Sequence, residues 1–185
     1  MPLHKLTAAA TIAATLALGA CGEKGNDAAP KSEAAKEAAG DQTIAAGLGD
    51  ATKFSAAAKS TGLDSTLAGP GPYTVLVPSD AAFDKLPAGA LDTLMKEESR
   101  QELTGVLSYH ILPGAMLAGD IGKAIDAGGG KALLATMAGG TLTATRDGDA
   151  IVITDGAGTK ARVTSGDEKR SNGVVHRIDA VLMPS

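Results

Sequence analysis

Tyr73-Thr74-Val75-Leu76-Val77-Pro78-Ser79-Asp80-Ala81-Ala82-Phe83 is the stretch on which the fold turns. Its opening residues are β-branched, aromatic or aliphatic. Gly69-Pro70-Gly71-Pro72 forces a turn before them and Pro78 ends them, the profile of a buried strand. Ser79 then offers a side-chain oxygen to one of the free amides of a helix start, and Asp80 is a helix-entry hydrogen-bond acceptor, so a short helix through Phe83 follows.

Upstream, Ile44, Leu48, Phe54, Ala58 and Leu63 recur at helical spacing but are interrupted by Gly47, Gly49 and Gly62, which predicts two or three short helices. Beyond Pro87 two more helical stretches are expected, Ala90 to about Lys96 and Ser99 to about Tyr109. The second puts Leu103, Val106, Leu107 and His110 on one face, and Pro113-Gly114 ends it. Thereafter the pattern changes to short alternating or apolar runs: Leu133 to Met137, Thr141 to Arg146, Ala150 to Thr154, Lys160 to Thr164 and Val174 to Leu182. Gly139-Gly140, Asp147-Gly148, Asp155-Gly156 and Asn172-Gly173 punctuate them with the positive φ angles that tight hairpins require. Helices first and strands later predict an α+β domain.

The chain has 185 residues and carries 17 basic and 21 acidic side chains, a formal charge of −4. It has no clustered Lys and Arg of the kind that binds phosphate backbones, which argues against nucleic acid as a partner. Aromatics are 2 % and tryptophan is absent, so aliphatic side chains build the core, with Phe54, Tyr73, Phe83 and Tyr109 as its large pieces. A single cysteine, Cys21, excludes an internal disulfide and a cysteine-based metal cluster.

The surroundings of Cys21 assign it another role. His4 and Lys5 precede an apolar run from Leu6 to Leu18, too short to span a bilayer, and Leu18-Gly19-Ala20 supplies narrow side chains for cleavage. The stretch resembles the lipobox of bacterial lipoproteins, whose cysteine is lipidated. Residues 1–20 are therefore expected to be a signal peptide, and several acyl chains on Cys21 would anchor the mature chain. Gly22 in place of Asp matches outer-membrane sorting in the enterobacterial pattern. Residues 21–40, with Ala, Glu, Lys and Pro30 but no large apolar side chain, read as a lipidated cysteine and flexible tether.

Three separated segments together resemble the fasciclin (FAS1) family: Tyr73 to Pro87, Leu107-Ser108-Tyr109-His110-Ile111-Leu112-Pro113-Gly114, and Asn172-Gly173-Val174-Val175-His176 through Pro184. Order and spacing match over residues 41–185. The resemblance implies a wedge-shaped β-sandwich packed against several short helices, and a protein of cell surfaces or matrix associated with adhesion.

Candidate chemistry is weighed against that frame. Tyr109-His110 is the most inviting pair for acid–base work, but the family pattern implies an architectural pair pinning helix to sheet, with an adhesion role for its segment in some animal members. His176 sits among Val174, Val175 and Ile178 and reads as a satisfied, half-buried histidine. His110 and His176 could meet Asp80 or Asp179 in space, but no metal-ligand spacing supports a site. Asp120, before Ile121, fits the capping of a short helix. In animal relatives an Asp-Ile pair before the closing Asn-Gly is linked to receptor binding; the matching positions here, Asp167 and Glu168 ahead of Asn172, keep the acid and lose the apolar partner. Gly128-Gly129-Gly130 lacks the residues of a phosphate cradle and reads as a flexible loop.

No cofactor or metal is expected, and no catalytic set of nucleophile, base and oxyanion donors can be assigned. The expected function is a membrane-anchored, cell-surface or periplasm-facing lipoprotein. It would act as a non-catalytic adhesion or matrix and polysaccharide interaction module, its partners the membrane through Cys21 and a surface polysaccharide or extracellular protein. The alternative is a periplasmic binding protein for a small apolar or lipidic ligand, motivated by an alanine-rich, aromatic-poor core with room for a cavity.

Overall fold

A computed structural model describes residues 40–184; Cys21, the leader and the tether lie outside the described residues. The expected opening helices are a 3-10 turn at Ala45–Gly47, helix α1 at Thr52–Thr61 and α2 at Leu63–Ala68. Strand β1, Tyr73–Pro78, passes into helix α3, Asp80–Asp84, through Ser79, whose hydroxyl oxygen accepts the Ala82 amide at 3.2 Å. Helices α4 (Ala90–Leu94) and α5 (Arg100–Tyr109) follow.

Two elements depart from the sequence reading. Helix α5 stops at Tyr109, ahead of the expected Pro113-Gly114 stop, and Ile111–Pro113 is strand β2, formed because β1 offers it a partner, with Thr74 opposite Leu112. Ala118–Ala127 is helix α6, with Ile121 and Ile125 buried one turn apart. The glycine run after it is a helix cap rather than a loose loop. Gly130 N–H donates to Ile125 O at 2.9 Å and Gly129 N–H to Asp126 O at 3.3 Å, with Gly129 at φ +69°, the left-handed position that favours glycine.

Strands β3 (Lys131–Ala135), β4 (Thr141–Asp147), β5 (Ala150–Thr154), β6 (Lys160–Arg170) and β7 (Gly173–Ile178) complete one sheet in the order β2-β1-β7-β6-β5-β4-β3. Among the described residues only β1 and β7 pair in parallel. Strand β6 joins the two halves: Lys160–Arg162 pairs with β5, and the rest pairs with β7 through register shifts at Val163/Ser165 and Ser165/Glu168. Such bulges bend a strand. The sheet therefore folds over on itself until Met137 N–H, just past β3, donates to Ile111 O of β2 at 2.8 Å.

This α+β arrangement has two cores. One lies between the sheet and the helices, where Phe54, Leu103, Val106 and Leu107 pack on Val75, Val77 and Val175. The other fills the bent sheet, where Leu76 and Ile178 meet Leu142, Ile153, Ile121 and Ile125. Strand β1 is buried on both faces, which is why it reads as a continuous apolar run, whereas β3 and β5 bury one face and alternate.

Candidate functional site

Tyr109 and His110 stand where α5 turns into β2, between the two cores. The imidazole is 1 % exposed, with Nδ1 2.8 Å from Val106 O, and its Nε2 accepts Leu182 N–H at 3.1 Å. A carbonyl can only accept and an amide only donate, so the ring is neutral with its proton on Nδ1. Burial is the main cause of a pKa lowered to about 4, opposed by the Val106 carbonyl and the Asp155 charge. The Phe54 ring meets the imidazole edge to face, centroids 6.2 Å apart. Tyr109 hydroxyl donates to Thr141 O at 3.2 Å and accepts Gly156 N–H at 3.4 Å. Its ring lies so close over Gly140 that a Cβ there would fall 2.5 Å from Tyr109 Cε2.

His176 is the mirror case. It is fully buried, Nε2 lies 2.8 Å from Met116 O, and Nδ1 accepts Asp167 N–H at 3.3 Å. Its proton is therefore on Nε2. Asp167, at φ +60° in the β6 bulge, points its carboxylate at the start of α6 and accepts Ala118 N–H at 2.6 Å. Leu117, the residue before α6, makes no side-chain cap, so the cap comes from another strand.

Asn172 holds the opening segment. Its Oδ1 accepts Ile44 N–H, and its Nδ2 donates to Leu67 O and Gly69 O, each at 2.8 Å. Asp80 serves α1 rather than its own helix, accepting the Thr52 hydroxyl and, at 3.0 Å, Lys53 N–H. Those two bonds hold its carboxyl below the ordinary carboxylate value. Asp120 lies in the first turn of α6 without capping it, 3.4 Å from Lys123 Nζ.

The structure thus brings Asp167 and His176 together and leaves Asp80, Asp120 and Tyr109-His110 at separate junctions. Among the described residues no three His, Cys, Asp or Glu groups converge on a metal position. Both imidazole lone pairs are occupied by backbone N–H groups, so neither ring is poised to take a proton from a molecule at the surface.

Glu168 has a use that its sequence position did not reveal. Its carboxylate accepts from Arg177 Nε at 2.9 Å and Nη2 at 3.2 Å, and from Arg170 Nη2 at 3.0 Å, while Arg177 also reaches Asp50 at 2.8 Å. The position where the family resemblance implied an apolar residue is here the centre of an ion-pair network. Reasoning from sequence also missed Thr74, fully buried in β1. Its hydroxyl donates to Gly114 O at 2.7 Å and accepts Met116 N–H at 2.8 Å; a lone threonine inside an apolar strand was the available signal. Asp155, read only as a turn residue, accepts Thr159 N–H at 2.7 Å and Met183 N–H at 2.9 Å.

The fold agrees with what comparison finds. A model of the fasciclin domain matches residues 49–184; the chain belongs to the fasciclin family. It is 36 % identical over 142 residues to protein sll1483 of Synechocystis sp., covering 76 % of this chain and 71 % of that one. It is 37 % identical over 129 residues to the transforming growth factor-beta-induced protein ig-h3 of Sus scrofa, covering 70 % of this chain but 17 % of the relative. For immunogenic protein MPB70 of Mycobacterium bovis the figures are 32 % over 114 residues, 62 % of this chain and 51 % of the relative. The chain therefore spans only part of the length of several of these relatives. Among solved structures, a FAS1 domain pair from the insect cell adhesion molecule Fasciclin I superposes with a TM-score of 0.68 at 19 % identity, covering 77 % of this chain and 51 % of that one.

Proposed function

We propose that the protein is an exported lipoprotein, anchored through Cys21, that presents its fasciclin domain as a non-catalytic adhesion or matrix-binding module at the outer membrane. The observation that carries this reading is where the family's motif residues spend their polar groups. Tyr109, His110, Asn172 and His176 bond to backbone inside the molecule. Recognition is thereby left to the outer surface. The leader and tether read from the sequence, and a solved relative described as a cell adhesion molecule, support the same reading.

Two measurements test it. Replacement Cys21→Ser should abolish incorporation of labelled fatty acid and release the protein from the membrane fraction; retention there would refute the anchor. Proteinase treatment of intact cells should remove the domain, and the purified chain should bind isolated surface polysaccharide or matrix protein. Complete protection of the domain in intact cells, with no such binding, would overturn the adhesive role.

A further inference from the structure

A shallow cleft of 370 Å³ opens between α4, α5 and the C-terminal segment. Leu94 and Met183 supply its apolar surface, Gly89 and Ala90 leave it room, and Thr93 and Glu102 are its polar members. The Thr93 hydroxyl is turned back on Gly89 O at 2.9 Å, so Glu102 is the one charged group facing the space. Glu102 lies in the first turn of α5, where the helix dipole favours an acid. That explains a carboxylate at this position, but not the apolar cleft beside it.

The surrounding charge is net negative. Over residues 90–102 the chain places Asp92, Glu97, Glu98 and Glu102 against Lys96 and Arg100. Arg100 lies 3.5 Å from Glu97, and among the described residues Glu102, Glu98 and Asp92 have no ion-pair partner. A shallow, largely apolar cleft with one unpaired carboxylate in net negative surroundings fits a ligand that is aliphatic along its length and cationic at its end. A lysine side chain has that build, with a stem that buries on apolar surface and a head that remains polar.

We propose that this cleft docks a basic segment of a protein partner, seating a lysine stem on Leu94 and Met183 and its ammonium against Glu102. The inference rests on the interaction-module reading and gives it a site and a partner class. Charge complementarity selects this occupant over a neutral lipid, which would use the apolar lining and leave the Glu102 carboxylate without a partner.

The test uses the full chain in detergent micelles and fluorescence anisotropy with two labelled peptides of equal charge. One carries lysines; in the other they are replaced by diaminobutyrate, which keeps the ammonium on a stem half as long. The lysine peptide should bind roughly tenfold more tightly, and Glu102→Gln should remove about that factor, as expected for loss of a charge-assisted contact. Ala90→Leu, which fills the cleft, should weaken binding similarly, whereas Glu98→Gln, outside it, should leave binding within about twofold. Equal binding of the two peptides, or equal losses from Glu98→Gln and Glu102→Gln, would reduce the effect to surface charge and overturn the proposal. Binding that survives Glu102→Gln but not Ala90→Leu would identify an apolar ligand instead and also overturn it. If matrix or polysaccharide binding persists in Glu102→Gln and Ala90→Leu while no peptide binds, the cleft assignment fails and the adhesive reading stands; peptide binding without any surface adhesion has the opposite meaning.

Discussion

At the scale of single residues, the molecule spends its few buried polar side chains on joining segments distant in sequence, and this makes their replacement costly in a predictable way. His110 is held neutral with a pKa lowered to about 4 from an ordinary 6.5. Between those two pH values the unfolded chain binds a proton that the native fold refuses, so stability is complete above 6.5 and declines as pH falls toward 4. From pH 7.5 to pH 5 this amounts to about 2 kcal/mol at 1.36 kcal/mol per unit. Urea unfolding at the two pH values should show that loss in the native chain, and His110→Gln, which does not titrate, should show it reduced by the same amount. Parallel profiles for the two proteins would mean that another group carries the pH dependence. Asn172→Asp makes a second case. It exchanges an amide that donates to Leu67 O and Gly69 O for a carboxylate facing both carbonyls at a site 9 % exposed. The expected loss is about 3 kcal/mol, two bonds and an uncompensated charge, measurable as a lowered urea midpoint. A midpoint shift near zero would show that the amide clamp is dispensable.

At the scale of elements, α6 shows how a helix with weak local signals is fixed by distant groups. Its entry is capped by Asp167 from β6 and its exit by Gly129 and Gly130. Asp167→Ala should cost about 1 kcal/mol for the lost cap and about 1 more for placing alanine at a left-handed φ, whereas Asp167→Gly should cost only the cap. Hydrogen exchange at Ala118 N–H should quicken in both variants, and an unchanged rate would contradict the cross-strand cap. The same helix marks where sequence reading ran out. Strand β1, helix α3 and helix α5 were legible because apolar run, cap residue and periodicity agreed within each. In α6, Gly119 and Gly122 thinned the pattern although Ile121 and Ile125 kept helical spacing; the Arg146 guanidinium, the movable end of a long side chain, lies across Gly122. Strand β2 consists of Ile111, Leu112 and Pro113, too few to carry a pattern, and exists through pairing with β1. The second half of β6, Ser165-Gly166-Asp167-Glu168-Lys169-Arg170, is polar throughout because bulges and the Glu168 ion pairs replace regular alternation. The candidate site was legible as residue identities, since the Tyr-His and Asn-Gly motifs could be picked out, but not as contacts. No local pattern states that Asp80 caps α1 or that His176 and Asp167 meet.

At the scale of the whole molecule, the parallel pair of β1 and β7 faces both cores. Val75, Val77 and Val175 point toward the helices, and Leu76 and Ile178 toward the interior of the bent sheet. Neither core can open without stripping one face of this pair, and His110 ties the helical side to Leu182 of the other core. The fold should therefore unfold as one unit despite having two apolar clusters. Phe54→Ala removes the largest fully buried side chain of the first core and Ile153→Ala a fully buried one of the second, each expected to cost about 3 to 4 kcal/mol as transfer and cavity terms combined. If the cores are coupled, each variant lowers the midpoint of a single transition, and far-UV circular dichroism and tyrosine fluorescence trace the same curve. Under independent cores, Ile153→Ala would split the transition, with the sheet lost first while the helices on the Phe54 side persist. Separate curves from the two probes would show that β1 and β7 do not couple the two halves.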